Sequence, residues 1–193
     1  KNENYFDWVI TLQSVLSAKH SYTAVELGAG YAPWSVLGGV LARDFLHIDD
    51  INLLALEADD AHAEYSKIHF NNNKFNNPEK HKVILGAIAG QSGEIKFPLV
   101  EDPQSDYGAS IYNKSYSEYR SVMGYSLAEL FQMIPEKIDL LHVDAQGAEY
   151  DIFTKTTLTL LQNVRYLVIS THFNEQKHDE LVTLLKNIKT HGI

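Results

Sequence analysis

The sequence predicts an α/β fold, a doubly wound and mostly parallel sheet with helices on both faces. Three observations predict it. Apolar runs at 22–27, 51–56, 83–89, 138–143 and 164–169 are continuous rather than alternating, as strands covered on both faces are. The segments between them carry apolar residues at helical spacing. Glu26, Gly28, Glu57, Asp144 and His172 fall at or just past the carboxyl ends of the runs, where such sheets bind ligands.

In chain order, 4–18 reads as a helix packed beside the first strand, through Phe6, Val9, Ile10, Val15 and Leu16. The strand 22–27 breaks into Gly28-Ala29-Gly30, and Pro33 opens a helix over 33–45, its missing N–H costing nothing in a first turn. Strand 51–56 ends at Glu57, and Asp59 or Asp60 caps the helix running through Tyr65 and Ile68. Strand 83–89 turns at Gly90–Gly93 into a returning strand, 94–100, and 102–115 reads as a loop. Ser126 and Glu129 form a capping-box pattern for a helix carrying Leu127, Leu130, Phe131 and Ile134 and ended by Pro135. Strand 138–143 ends at Asp144, and Gln146–Glu149 turns into a helical region reaching Leu161. Strand 164–169 leads to Ser170-Thr171-His172, and a last helix puts Leu181, Leu184, Leu185 and Ile188 on one stripe.

One domain is expected over 1–193: an N-terminal helix (1–20), a ligand-binding core (21–172) and a C-terminal helix (173–193). The net charge of -9, with no basic cluster, speaks against a nucleic-acid partner and against an anionic membrane. No apolar run approaches the roughly 20 residues that span a bilayer. No signal-peptide pattern opens at Lys1, and there are no cysteines for disulfides, thiol catalysis or Cys-based zinc sites.

An acid at a strand end, close-approach glycines and a helix N-terminus together make a nucleotide or nucleoside site. The loop lacks the third glycine of G-x-G-x-x-G, and no Lys or Arg stands nearby to hold a pyrophosphate. Glu26, two residues before Gly28, suits a cationic amino-acid group instead. The loop therefore reads as a cradle for S-adenosyl-L-methionine ahead of NAD. Glu57 suits the two ribose hydroxyls of an adenosine, a role either ligand allows; a solvated helix-capping acid is the alternative. Tyr31 and Trp34 stand where they can cover methionine or adenine, with a core contact the alternative for Trp34.

Val25-Glu-Leu-Gly-Ala-Gly30, Leu56-Glu57, Ala87-Ile-Ala-Gly-Gln-Ser-Gly-Glu-Ile-Lys-Phe97 and Ile138-Asp-Leu-Leu-His-Val-Asp-Ala-Gln-Gly-Ala-Glu149 resemble the FkbM-type methyltransferases. The last segment is similar to that family's I-D-L-L-K-I-D-x-E-G-A-E signature, and Ser126-Leu127 to its Thr-Leu-Asp helix start. The likeness covers 22–172. It implies a class I, Rossmann-like methyltransferase fold, S-adenosyl-L-methionine as cofactor, and O-methylation of a sugar or other hydroxyl-bearing small molecule. A sheet of that kind normally adds two strands beyond the five read here. Three positions depart from the pattern: His142 for Lys, Gln146 for the first Glu, and Ser170-Thr171-His172 for Glu-x-His.

The expected cofactor residues are Glu26, Gly28, Ala29, Gly30, Tyr31, Trp34, Glu57, Ala58, Ala87 and Asp144. A hydroxyl acceptor must lose a proton, and Asp144 and His172 are the expected catalytic residues, His172 as base, with a surface-loop histidine the alternative. Asp144 either holds the methionine amino group or orients His172. His142, inside a buried strand, reads as a hydrogen-bonded core residue. No metal is expected, because Asp144, His172 and His142 match no dedicated ligand spacing. Glu149 either pairs with a helix N-terminus or serves the site. Tyr107, Tyr112, Tyr116, Tyr119 and Tyr125 cluster in a segment expected to pass over the ligand end, either packing there or facing an acceptor. A non-catalytic adenosylmethionine- or nucleotide-binding module and an NAD-dependent oxidoreductase are the alternative functions. The compartment expected is the cytoplasm, where the cofactor is available.

Overall fold

A computed structural model describes residues 4–112, 116–135, 137–155 and 158–186. Helix α1 (Tyr5–Leu16) buries Thr11, Ser14 and Val15. The expected face differs, since Phe6 is 71% and Leu16 74% exposed. The reason is polar: the fully buried Tyr22 hydroxyl needs a partner and finds it in Ser14 Oγ at 2.9 Å. That turns the small polar face of α1 inward.

Strand β1 (Ser21–Leu27) leads to helix α2 (Pro33–Leu46), with proline at its first turn. Strand β2 (Asp50–Glu57) leads to helix α3 (Asp60–Asn72). Asp59 is its cap, accepting from Ala61 N and His62 N at 2.9 and 3.0 Å.

The expected strand 83–89 is two elements. β3 (His81–Leu85) ends before Gly86, and β4 (Ala87–Ile88) belongs to a second sheet. A Cβ at Gly86 would lie 2.6 Å from the Tyr125 ring and 2.7 Å from the Met123 carbonyl. The chain that packs so closely there is β6 (Tyr119–Tyr125), a strand the sequence pattern did not announce. It pairs in parallel with β4 and antiparallel with β5 (Gly93–Pro98), the returning strand. Helix α4 (Leu127–Phe131) carries the full capping box and stops short of Ile134.

Strand β7 (Ile138–Val143) is followed by helix α5 (Glu149–Lys155) and a separate 3₁₀ turn (Leu158–Asn163), not by one helical region. Strand β8 (Val164–Ile169) and helix α6 (Glu175–Lys186) follow. In α6 Leu181 is buried, and Leu184 and Leu185 pack on the core. Ile188 lies outside the described residues.

The five-stranded sheet has the order β3-β2-β1-β7-β8, parallel throughout. Side chains alternate between its faces. Leu27, Leu54 and Leu141 meet α4, α5 and α6 on one face through Leu130, Phe153 and Leu181. Ala24, Leu53 and Leu140 face α1, α2 and α3 on the other, with Val15, Val36 and Phe70. This is the doubly wound arrangement the sequence predicts. The order runs outward both ways from β1 and β7, so a crevice opens beyond their carboxyl ends. Among the described residues no helix is long and apolar enough to cross a membrane.

Candidate functional site

The crevice is floored by the loop between β1 and α2. Gly28 N and Ala29 N both donate to the Leu56 carbonyl, at 2.9 and 3.1 Å, and Asp144 N donates to the Leu27 carbonyl at 2.9 Å. Gly28 has φ +71°, and a Cβ there would sit 1.9 Å from the Asp144 carbonyl oxygen. The close approach that requires glycine at this point is therefore made by the end of β7. At Gly30 (φ +56°) a Cβ would meet the Tyr107 ring at 3.3 Å.

Two buried carboxylates organise the loop. Helix α2 has Ala32 at its N-cap, in a left-handed conformation and with no capping side chain. Glu26 reaches up from β1 to do that work, accepting from Ser35 N at 2.7 Å and Trp34 N at 3.4 Å. Glu57 ties the loop to β2, accepting from Gly30 N at 2.7 Å and Asp59 N at 2.8 Å. Burial pushes both carboxyls above the usual range, against the pull of these amides.

A cavity of about 330 Å³ opens above the loop. β1 and its loop line it with Glu26, Gly28, Ala29, Gly30 and Tyr31, and α2 adds Trp34. The end of β2 adds Glu57 and Ala58, β4 adds Ala87, and the end of β7 adds Asp144. Every residue expected to hold a cofactor thus lines one cavity. Each Glu57 oxygen spends one lone pair on an amide and keeps another, so the pair of hydroxyls on a ribose is within its accepting capacity. The accepting carboxylates fit the hydroxyls of an adenosine-type ligand.

Further wall residues join them, of which only Tyr107 was expected over the ligand end. Phe97 comes from the second sheet, and Tyr107, Ser110 and Ile111 from the segment between β5 and β6. Tyr107 stacks on His62 at 4.1 Å and 9° and meets Tyr31 edge-on. Asn4 arrives from the residue before α1, and Gln146 from the turn after β7. The tyrosine cluster carried the one available signal. Of its members Tyr107 lines the cavity, Tyr112 and Tyr116 bond Asp151 and Asp106, and Tyr119 and Tyr125 sit on β6.

His142 is a buried, hydrogen-bonded residue, its Nε2 2.7 Å from Asp7 Oδ1 on α1. That bond holds the Asp7 carboxyl below the usual range. His142 also stacks on Trp34 and lines the cavity, so Trp34 both packs and faces the ligand space.

Asp144 is two-thirds screened from solvent, and burial raises its carboxyl above the usual range, opposed by His172 and His142. Gln146 Nε2 donates to its Oδ1 at 3.0 Å. His172 does not line the cavity. It stands behind Asp144, Nε2 at 3.6 Å from Asp144 Oδ1 and Nδ1 at 3.0 Å from Glu149 Oε1. Orientation of His172 therefore comes from Glu149 rather than from Asp144. Ligating atoms of Asp144, Glu149 and His172 lie within 4.8 Å of one another, with Glu149 in the place the sequence reading gave to His142.

A doubly wound sheet with an acid-rimmed cavity at its switch point defines a Rossmann-like α/β protein. Residues 43–191 match the Methyltransferase FkbM domain, and the chain belongs to that family. It is 30% identical over 179 residues to a protein of Jannaschia sp. (strain CCS1) named "Putative methyltransferase", an alignment covering 86% of this chain. The chain spans 61% of the length of that relative. No solved structure matches it.

Proposed function

We propose that this chain is an S-adenosyl-L-methionine-dependent methyltransferase that methylates a hydroxyl of a small molecule, a sugar or similar acceptor. The observation that carries the reading is the convergence of Glu26, Glu57 and Asp144 on one cavity in a chain of the FkbM family. Glu57 would take the ribose hydroxyls, and Glu26 and Asp144 the cationic methionine end. When bound, the cofactor supplies an electrophilic methyl group on a sulfonium.

The protein's own contribution is orientation and proton removal. Holding two reactants in line is worth about 7–11 kcal/mol. A positioned base adds typically about 10²–10⁴-fold. Asp144 borders the cavity, and His172 Nε2 stands behind it at 3.6 Å. Asp144 is the member of the pair that reaches the acceptor and would take its proton first; His172 becomes the final base once the 3.6 Å gap to Nε2 closes. The compartment this reading implies is the cytoplasm.

Calorimetric titration with S-adenosylmethionine, S-adenosylhomocysteine and NAD tests the cofactor. Binding of both adenosyl ligands and not of NAD is expected; a folded protein that binds neither adenosyl ligand sinks the reading. One observation favours a second reading, a non-catalytic adenosyl-binding module: His172 lies outside the cavity wall. Methylation of any alcohol acceptor, lost in His172→Ala with cofactor affinity kept, excludes that module.

A further inference from the structure

We propose that Glu149 is the positioning residue for His172: it fixes the imidazole proton on Nδ1 and leaves the basic Nε2 facing Asp144. The inference rests on the reading of His172 as the base.

Glu149 opens α5 and is fully buried. The turn after β7 wraps around its carboxylate. Ala145 N donates to Oε1 at 2.8 Å and Gly147 N to Oε2 at 2.9 Å. Gln146 (φ +49°) and Gly147 (φ +104°) are both left-handed, which lets two amides of so short a segment point at one side chain. Gly147 in turn lies against the loop after β8, where a Cβ would come within 3.7 Å of the His172 carbonyl. The carboxylate is thus held through both of its oxygens, and its Oε1 meets His172 Nδ1 at 3.0 Å.

A carboxylate accepts, so Nδ1 must donate. The neutral ring then carries its lone pair on Nε2. That nitrogen is 3.6 Å from Asp144 Oδ1, too far for a hydrogen bond, so the lone pair is not spent there. His172 keeps a third of its side chain open to solvent. A base oriented by a third group is the arrangement that makes a histidine a directed proton acceptor.

The same three residues invite a divalent cation, which Glu149 disfavours. Both of its oxygens already accept backbone amides, and one also meets His172. An ion bound by Glu149 would have to share or displace those bonds.

The test is long-range ¹H–¹⁵N correlation spectroscopy on histidine-labelled protein at alkaline pH. His172 is assigned among the nine histidines by its loss in His172→Gln. The proton is expected on Nδ1 in the wild type. Glu149→Gln should move the tautomer ratio toward Nε2–H by at least about tenfold. Asp144→Asn removes a carboxylate facing Nε2 and should not move the ratio toward Nε2–H. A wild-type ring protonated at Nε2 overturns the proposal, and needs no variant. So does an unchanged ratio in a Glu149→Gln protein with a native amide spectrum. Cofactor titration is a separate measurement: loss of adenosyl binding there sinks the methyltransferase reading while the tautomer result stands.

Discussion

Replacing Glu57 by Gln and by Ala separates what this carboxylate does for the fold from what it does for a ligand. In the ligand-free protein it accepts from Gly30 N at 2.7 Å and Asp59 N at 2.8 Å, both in buried residues. Alanine strips both donors, and each unsatisfied buried amide costs about 1–3 kcal/mol, so Glu57→Ala should lose about 2–6 kcal/mol. At about 2–4 °C per kcal/mol for a domain of this size, the midpoint should fall by at least about 4 °C. Glutamine keeps one acceptor oxygen and should lose about 1–3 kcal/mol. For a ligand, Glu57→Gln removes a charged acceptor from a hydroxyl, about 1.5–3 kcal/mol. That corresponds to about 10–150-fold weaker binding. Urea unfolding measures the first effect and calorimetry with S-adenosylhomocysteine the second. A folded Glu57→Gln protein that binds as tightly as the wild type refutes the ribose role. An unchanged unfolding midpoint for Glu57→Ala refutes the loop-staple role.

Two further outcomes follow from the same site. Gly28→Ala places a Cβ 1.9 Å from the Asp144 carbonyl at φ +71°, combining a left-handed penalty of about 1–2 kcal/mol with a steric cost of about 1–3. Urea unfolding should show a loss of about 2–5 kcal/mol, and a loss under about 1 kcal/mol contradicts the packing of the loop on β7. Burial raises the Glu26 carboxyl above its ordinary 4.5, so its contribution to stability is full below that value and lost as pH rises through the raised one. Glu26→Gln should therefore narrow its stability deficit, or gain on the wild type, as pH rises above about 4.5 in a urea series. A difference that grows the other way refutes the assignment.

The central sheet was legible because its strands are covered on both faces and so read as unbroken apolar runs. The caps at Asp59 and Ser126 were legible because a capping bond joins residues two or three apart. The second sheet was not. β4 has two residues, too few for a pattern, and β6 reads Tyr-Arg-Ser-Val-Met-Gly-Tyr, with neither an unbroken apolar run nor a clean alternation. The face of α1 was misread because Phe6 and Leu16 are as apolar as core residues. What selects the buried side is Ser14, bonded to a tyrosine on the next strand.

At the site the division is the same. Gly28, Gly30, Glu57 and Asp144 stand at strand ends, and strand ends converge in any doubly wound sheet, so their meeting in one cavity follows from the sequence alone. Their partners do not follow. Glu26 caps a helix eight and nine residues on, because Ala32 cannot. Gly28 answers to the carbonyl of Asp144, and Tyr107 comes to rest on His62 across a fold boundary. Glu149, which reads as an acid at a helix start, is wrapped by its own turn and turned onto His172. Local chemistry along the chain determined the strands, the caps and the strand-end acids, since each depends on neighbours in sequence. Packing between distant segments decided which atoms those acids bind, since a hydrogen bond is set by distance in space.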